Sequence, residues 1–148
     1  DLARRLQSEH RQIKAQADTL RTASTDEAVR AFADSLGAHI RFEERELFPY
    51  VEQMENAAAG KGTAPTPFFG TVKNPVRMMM LEHDRAGELL NEIRTLSSNY
   101  SPPSDGCISY QTLYTALDEL EKDLHQHIHL ENNILFPKAL ELEKEVLK

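Results

Sequence analysis

One short pattern occurs twice in this chain of 148 residues, and it constrains the fold more than any other feature. In the first copy, His39-Ile-Arg-Phe-Glu43 is followed by Phe48-Pro49. In the second copy, His127-Ile-His-Leu-Glu131 is followed at the same spacing by Phe136-Pro137. Proline disrupts helical hydrogen bonding, so each Phe-Pro pair can kink a helix one or two turns beyond the histidine and glutamate.

A Glu-His pair precedes each copy of the pattern, Glu9-His10 in the first and Glu82-His83 in the second. The order of motifs is therefore the same in both parts of the chain. We predict a single domain with an internal two-fold pseudo-repeat, whose halves cover about 1–57 and 72–148. A linker at about 58–71, rich in glycine and proline, joins them.

Apolar residues recur every three to four positions in four stretches, which is typical of amphipathic helices. The first stretch covers about residues 2–22, and the second opens at Ser24–Glu27, a capping-box sequence. The third opens at Asn74-Pro75, a good first-turn pair, and the last carries apolar residues from Leu113 to Ile134. This pattern predicts an all-α fold, an antiparallel up-down-up-down four-helix bundle.

Six polar residues occupy positions where these helices are expected to place apolar core side chains. A buried carboxylate needs a partner or a metal, and residues four apart on a helix project to the same side. Imidazole and carboxylate together suit iron, manganese or zinc better than calcium or magnesium. The set is large enough for two ions, and we predict these metal ligands: His10, His39, Glu43, His83, His127 and Glu131.

Other polar residues near the motifs have more than one interpretation. Glu46 and Glu82 are candidates for a supporting shell around the ligands, and a salt-bridged or solvated role is the alternative. His125 and His129 flank His127 two positions away, so they are expected to face solvent. The alternative for the whole set is a metal-free bundle with hydrogen-bonded core histidines.

Bulk properties exclude some classes of partner. The net charge of −7 argues against nucleic acid and an anionic membrane surface. No apolar run is long enough to span a membrane, and the polar start at Asp1 does not resemble a signal peptide. Cys107 is the only cysteine, which favours a reducing, cytoplasmic location. The oligomeric state is left open.

The motifs resemble those of the hemerythrin-like domain. The segments Glu82–Leu90 and His127–Pro137 are similar to one branch in particular, the iron–sulfur cluster repair di-iron proteins. The first half fits the broader hemerythrin-like pattern through Glu9-His10 and the His39-x-x-x-Glu43 motif.

This resemblance implies a non-haem di-iron centre with an oxo or hydroxo bridge, in which zinc or manganese are possible substitutes. It implies that one iron takes His10 and His39, the other takes His83 and His127, and the two glutamates bridge them. Each iron then has about four protein ligands against six in an octahedral centre. A position is left open for a small molecule such as oxygen, nitric oxide or peroxide.

The function implied by the resemblance is repair of iron–sulfur clusters damaged by nitric oxide or oxidative stress. The partners would be iron–sulfur client proteins, and the chemistry would be iron donation or removal of nitric oxide or oxidants, with no catalytic residues beyond the metal centre. One alternative is an oxygen or nitric oxide binding or sensing protein, although oxygen-carrying hemerythrins have a histidine where this chain has Gly87. Another is a di-iron oxidase or peroxidase.

Overall fold

The computed structural model describes residues 2–23, 27–102, 104 and 106–147, and every regular secondary-structure element within them is a helix. Two of the four long segments are each divided by a short π-helical turn, here named π1 and π2. The elements in chain order are α1 Leu2–Ala23, α2 Glu27–Phe42, π1 Glu43–Leu47, α3 Phe48–Ala58, α4 Lys73–Leu96, α5 Ile108–Leu130, π2 Glu131–Leu135 and α6 Phe136–Val146.

The predicted all-α four-helix bundle is confirmed. Helix α1 packs against α2 and α5, α2 packs against α4, α4 against α5, and α3 against α6. The third predicted helix corresponds to α4, which begins at Lys73, one residue before the predicted Asn74. Residues 24–26 of the predicted capping box lie outside the described residues. Within the described residues, no helix is both long and apolar enough to cross a membrane.

The repeated Phe-Pro pairs follow a widened helical turn in both halves. The backbone N–H of Phe48 donates to the carbonyl of Glu43, five residues back, and Phe136 donates to Glu131 in the same way. Proline lacks an N–H, and its ring crowds the carbonyl four residues back, so the preceding turn is a favourable place for wider spacing. The disturbance expected beyond the motif therefore takes the form of π1 and π2, which begin at the motif glutamates.

The core consists of two apolar clusters separated by a polar layer. The cluster at one end includes Leu6, Met54, Met79 and Phe136, and the other includes Ile13, Phe32, Leu90, Leu117 and Leu120. Apolar burial at about 25 cal/mol per Å² drives assembly of such a core. The two clusters fix the four helices on both sides of the polar layer, so the layer is held by packing above and below it.

A buried glutamate anchors the linker to the end of the bundle. Glu143 of α6 accepts hydrogen bonds from the hydroxyl of Tyr50 at 2.7 Å, from the backbone N–H of Val72 at 2.7 Å, and from the hydroxyl of Thr71. Burial alone raises the pKa of Glu143, but the hydrogen bonds from Thr71, Val72 and Tyr50 outweigh it and hold the pKa below its usual value. This contact ties α3, the linker and α6 together.

Candidate metal centre

The polar layer contains all six predicted ligands, brought together from four helices. Each side chain is buried, and the donor atoms fall into two groups whose members lie within 4.8 Å of one another. Both groups include Glu43 and Glu131, which begin π1 and π2. The groups are His10, Glu43, His127 and Glu131, and His39, Glu43, His83 and Glu131.

The histidines are grouped differently from the pairing that the resemblance implied. The rings of His10 and His127 are 4.4 Å apart between centroids, and those of His39 and His83 are 4.8 Å apart. Each pair therefore joins one histidine from each half of the chain, because α1 packs on α5 and α2 packs on α4. We call His10 with His127 the first half-site, and His39 with His83 the second half-site.

The two glutamates lie between the half-sites. Glu43 places Oε2 2.8 Å from Nε2 of His10 and Oε1 3.0 Å from Nε2 of His39, so each half-site receives one of its oxygens. Glu131 places Oε1 2.8 Å from Nε2 of His127 and 3.6 Å from Nε2 of His83. The four-residue spacing of the motif thus aims each histidine and its glutamate at the same point, as expected for one helix face.

The chemistry of this donor set fits a bound cation. Nine buried side-chain atoms among the described residues have no hydrogen-bond partner, and seven of them belong to the ligands His10, Glu43, His127 and Glu131. Leaving a buried polar group unsatisfied costs about 1–3 kcal/mol, more for a charged one. Such a concentration of unsatisfied nitrogen and oxygen atoms at one point is explained by coordination, and these donor types suit iron, manganese or zinc.

Two glutamates support the ligands of the opposite half. Oε2 of Glu82 lies 2.6 Å from Nδ1 of His39, and Oε2 of Glu9 lies 3.1 Å from Nδ1 of His127. A carboxylate on Nδ1 orients the ring and leaves Nε2 free for a metal. Glu82 was expected near the ligands, whereas Glu9 was missed although its place before His10 repeats that of Glu82 before His83.

The other two ligand histidines have different neighbours. Nδ1 of His83 lies 2.9 Å from the side-chain oxygen of Asn132, while a carboxylate oxygen of Glu44 lies 3.7 Å from Nδ1 of His10. The sequence analysis gave a supporting role to neither Asn132 nor Glu44. Glu46, the other expected supporting residue, is half-buried and makes no hydrogen bond or ion pair to a ligand within the described residues.

The buried ligands perturb one another's ionisation. Burial, followed by the charge of Glu131, raises the pKa of Glu43 to about 8. Burial, followed by the charge of His127, lowers the pKa of His10 to about 4. Burial also acts to lower the pKa of His39, but the hydrogen bond and charge of Glu43 raise it to about 9. For Glu131, hydrogen bonds from histidines outweigh burial and lower the pKa.

The repeated phenylalanines close the site on one side. The ring of Phe48 stacks on His10 with centroids 4.9 Å apart, and the ring of Phe136 stacks on His83 at 5.8 Å. Both phenylalanines are buried in the apolar cluster that adjoins π1 and π2. The interval from glutamate to phenylalanine is the same in both copies of the motif, so each copy provides both ligands and an apolar ring that covers the site.

A cavity of about 160 Å³ reaches the polar layer from the other side. His39, His83 and His127 border it, whereas His10 does not. Apolar side chains form much of the remaining wall: Phe32, Leu36, Ile40, Leu89, Leu124 and Ile128. The cavity has room for a diatomic molecule beside the ligands. His125 and His129 are exposed, as expected, and take no part in either group.

Comparison with known proteins agrees with this geometry. A family model described as the hemerythrin HHE cation binding domain matches residues 1–66 and 69–146, which is most of the chain. The iron-sulfur cluster repair protein YtfE of Musicola paradisiaca is 42% identical over 108 residues, covering 72% of this chain and 42% of that protein.

Two further relatives have similar names. A probable iron-sulfur cluster repair protein of Haemophilus influenzae is 40% identical, over 71% of this chain and 41% of its own length. The iron-sulfur cluster repair protein YtfE of Cronobacter sakazakii is 43% identical, over 75% of this chain and 44% of its own length. The matched region is thus less than half of each relative. The family match over both halves, together with a histidine and glutamate cluster at the centre of the bundle, shows that this chain belongs to the hemerythrin HHE cation-binding domain family.

Proposed function

We propose that this chain is one hemerythrin-like domain that holds two iron ions and serves in the repair of iron–sulfur clusters damaged by nitric oxide or oxidants. The observation that carries the proposal is the pair of ligand groups that share Glu43 and Glu131. The names of relatives about 40% identical to this chain support the repair role. The single cysteine, in keeping with a reducing compartment, supports a cytoplasmic location.

Each half-site would hold one iron through its two histidines, and both glutamates would be shared between them. The bound ions would supply redox chemistry and a store of iron. The chain itself contributes the arrangement. With metal bound, Glu82 and Glu9 would accept from Nδ1 of His39 and His127 and leave Nε2 of each ring to the metal, and stacked phenylalanines keep water from one side of His10 and His83.

The ligand count supports iron donation over tight storage. Four neutral histidines and two glutamates would supply a charge of only −2 to two divalent cations, so a ferrous pair held by them would be under-neutralised in a buried site. A centre of this kind favours release or reaction over permanent retention. The clients we propose are proteins that carry iron–sulfur clusters.

Iron transfer tests the repair role. The chain is loaded anaerobically with isotopically labelled ferrous iron and mixed with a [4Fe–4S] hydratase previously inactivated by nitric oxide. We expect labelled iron in the hydratase and recovery of its activity beyond the level given by the same amount of free ferrous iron. The control is the double variant His39→Leu, His127→Leu treated identically. Recovery no greater than with free iron or with the variant would refute the repair role.

A second candidate function rests on the cavity, which reaches three ligand histidines and is lined mainly by apolar side chains. Such a cavity admits oxygen or nitric oxide, so a binding or sensing protein is the alternative. Its signature is a stable, reversible oxygen adduct of the ferrous protein. Irreversible oxidation by air would count against this alternative and is the result expected of the repair protein.

A further inference from the structure

The two half-sites are related by the repeat, but their supporting residues differ at one corresponding position. Glu44 follows the shared Glu43, and Asn132 follows the shared Glu131. Asn132 places its neutral amide oxygen 2.9 Å from Nδ1 of His83, in the second half-site. Glu44 places a carboxylate oxygen 3.7 Å from Nδ1 of His10, in the first half-site.

His10 is the ligand histidine whose Nδ1 has no hydrogen-bond partner. Its side chain is fully buried, and neither ring nitrogen has a hydrogen-bond partner. A metal-bound imidazole ordinarily donates its second N–H to a carboxylate, a carbonyl or water. Glu44 is the carboxylate in position to accept that hydrogen bond, and its side chain is one-third exposed and therefore free to adjust.

The other supporting carboxylates, Glu9 and Glu82, do not cancel the difference between Glu44 and Asn132. Glu9 and Glu82 occupy corresponding positions and each contacts one histidine, so they contribute alike to the two half-sites. Glu9 also pairs with Arg5 at 3.0 Å, but the Arg5 side chain is 53% exposed. Exposed ion pairs are strongly screened by solvent, so Arg5 offsets little of the charge on Glu9.

Access to the two half-sites is also unequal. Both histidines of the second half-site border the cavity, and Glu82, which contacts His39, lines it with a 44% exposed side chain. In the first half-site only His127 borders the cavity, whereas His10 lies against Phe48 and does not border it. A cation held by the second half-site therefore has a shorter route to solvent.

We propose that Glu44 and Asn132 make the two metal positions unequal: the first half-site binds its cation more tightly and fills first, and the second exchanges its cation more readily through the cavity. This inference rests on the proposed two-metal centre and assigns its order of filling to residues outside the ligand set. Glu44 and Asn132 are positioning residues that act through His10 and His83. Loss of such a support typically changes metal affinity 10- to 100-fold, so we expect the affinities to differ by about tenfold or more.

Anaerobic titration with cobalt(II), followed by calorimetry and by the visible cobalt spectrum, tests the assignment. We expect two steps of one cation each. Asn132→Asp is expected to strengthen only the weaker step by about tenfold, and Glu44→Gln to weaken only the tighter step by a similar factor. Glu46→Gln is the matched control, because Glu46 lies in the same turn as Glu44 but does not contact a ligand. It is expected to change neither step.

Exchange kinetics supply a second readout that needs no variant. Withdrawal of cobalt by an excess of chelator is expected to proceed in two phases of equal amplitude. Two cations bound with one affinity and lost in a single phase, unaffected by the substitutions, would overturn the inference and leave the two-metal centre intact. The inference would also be overturned if Asn132→Asp changed the tighter step or Glu44→Gln changed the weaker step. Fewer than two cations per chain would overturn the proposed centre itself.

Discussion

Oε2 of Glu82 lies 2.6 Å from Nδ1 of His39, although the two residues belong to different halves of the chain. Glu9 and His127 repeat this contact from the other direction, at 3.1 Å. Each half therefore provides the support for a ligand of the other half. The two copies of the motif do not form two independent sites, because both ligand groups, and the contacts of Glu9 and Glu82 with them, cross between halves.

Removing either supporting carboxylate is expected to weaken metal binding without unfolding the chain. We expect Glu82→Gln to lower cation affinity by about 10- to 100-fold, since an amide stabilises the metal-bound imidazole less than a carboxylate does. Zinc titration against a competing chelator measures the change. The control is Glu88→Gln, an exposed position further along α4. Equal affinities for the Glu82 variant and the wild type would show that the contact does not act on the site.

The linker anchor predicts a pH-dependent contribution to stability. Glu143→Gln is expected to lower the free energy of unfolding by about 1–3 kcal/mol at neutral pH, because a buried carboxylate with three donors is replaced by an amide. The pKa of Glu143 lies below its usual value in the folded chain, so its stabilising effect is present above that usual value. The effect is lost as the pH falls through the folded-state pKa.

Urea denaturation at neutral and acidic pH checks this prediction. The difference between wild type and Glu143→Gln should shrink at acidic pH, while the exposed Glu145→Gln on the same helix should show little difference at any pH. A difference that is independent of pH would contradict the role of the Glu143 charge.

Gly87 offers a stabilising substitution beside the site. A Cβ added there meets no atom within 4 Å, so alanine fits in the interior of α4. We expect Gly87→Ala to raise the free energy of unfolding by about 0.5–1 kcal/mol through the better helix propensity of alanine. At Gly37 the added Cβ lies 3.3 Å from a guanidinium nitrogen of Arg41, so a smaller gain is expected from Gly37→Ala. Destabilisation by Gly87→Ala in urea would contradict the open space at this position.

Replacing two ligands by leucine distinguishes the two-metal centre from the metal-free bundle by the response of stability to added metal. In the presence of a chelator, the double variant His39→Leu, Glu43→Leu is expected to stay helical and to be at least as stable as the wild type, since buried polar groups are removed. Added zinc should raise the melting temperature of the wild type, by the equivalent of about 2.7 kcal/mol at a hundred times its Kd. The double variant should not respond. A wild type indifferent to metals would favour the metal-free bundle.

Much of this architecture follows from periodicity. The six ligands stand out in the sequence because histidine and glutamate occupy positions that the helical period assigns to the core, and they do meet there. The π1 and π2 turns were not predicted, because a hydrogen bond shifted by one residue leaves little trace in an apolar pattern of period 3.6. Proline at position 49 indicated a disturbance but not its form.

The pairing of the histidines could not be read from chain order. Which helices face each other at the polar layer is a tertiary property, and it joins His10 to His127 and His39 to His83. The anchor at Glu143 was missed for the same reason, since its donors lie on the linker and on α3, far away in sequence. Matching the Glu-His pairs between the halves was the one available signal for the role of Glu9.

The decisive test of the two-metal centre is the iron content of the chain after anaerobic loading with ferrous iron, removal of unbound iron and oxidation in air. We expect about two irons per chain, with near-ultraviolet bands from an oxygen-bridged ferric pair, and loss of the coupled pair in His39→Leu and in His127→Leu. One iron or none in the wild type, or iron that a brief wash removes without a spectral change, would contradict the two-metal centre.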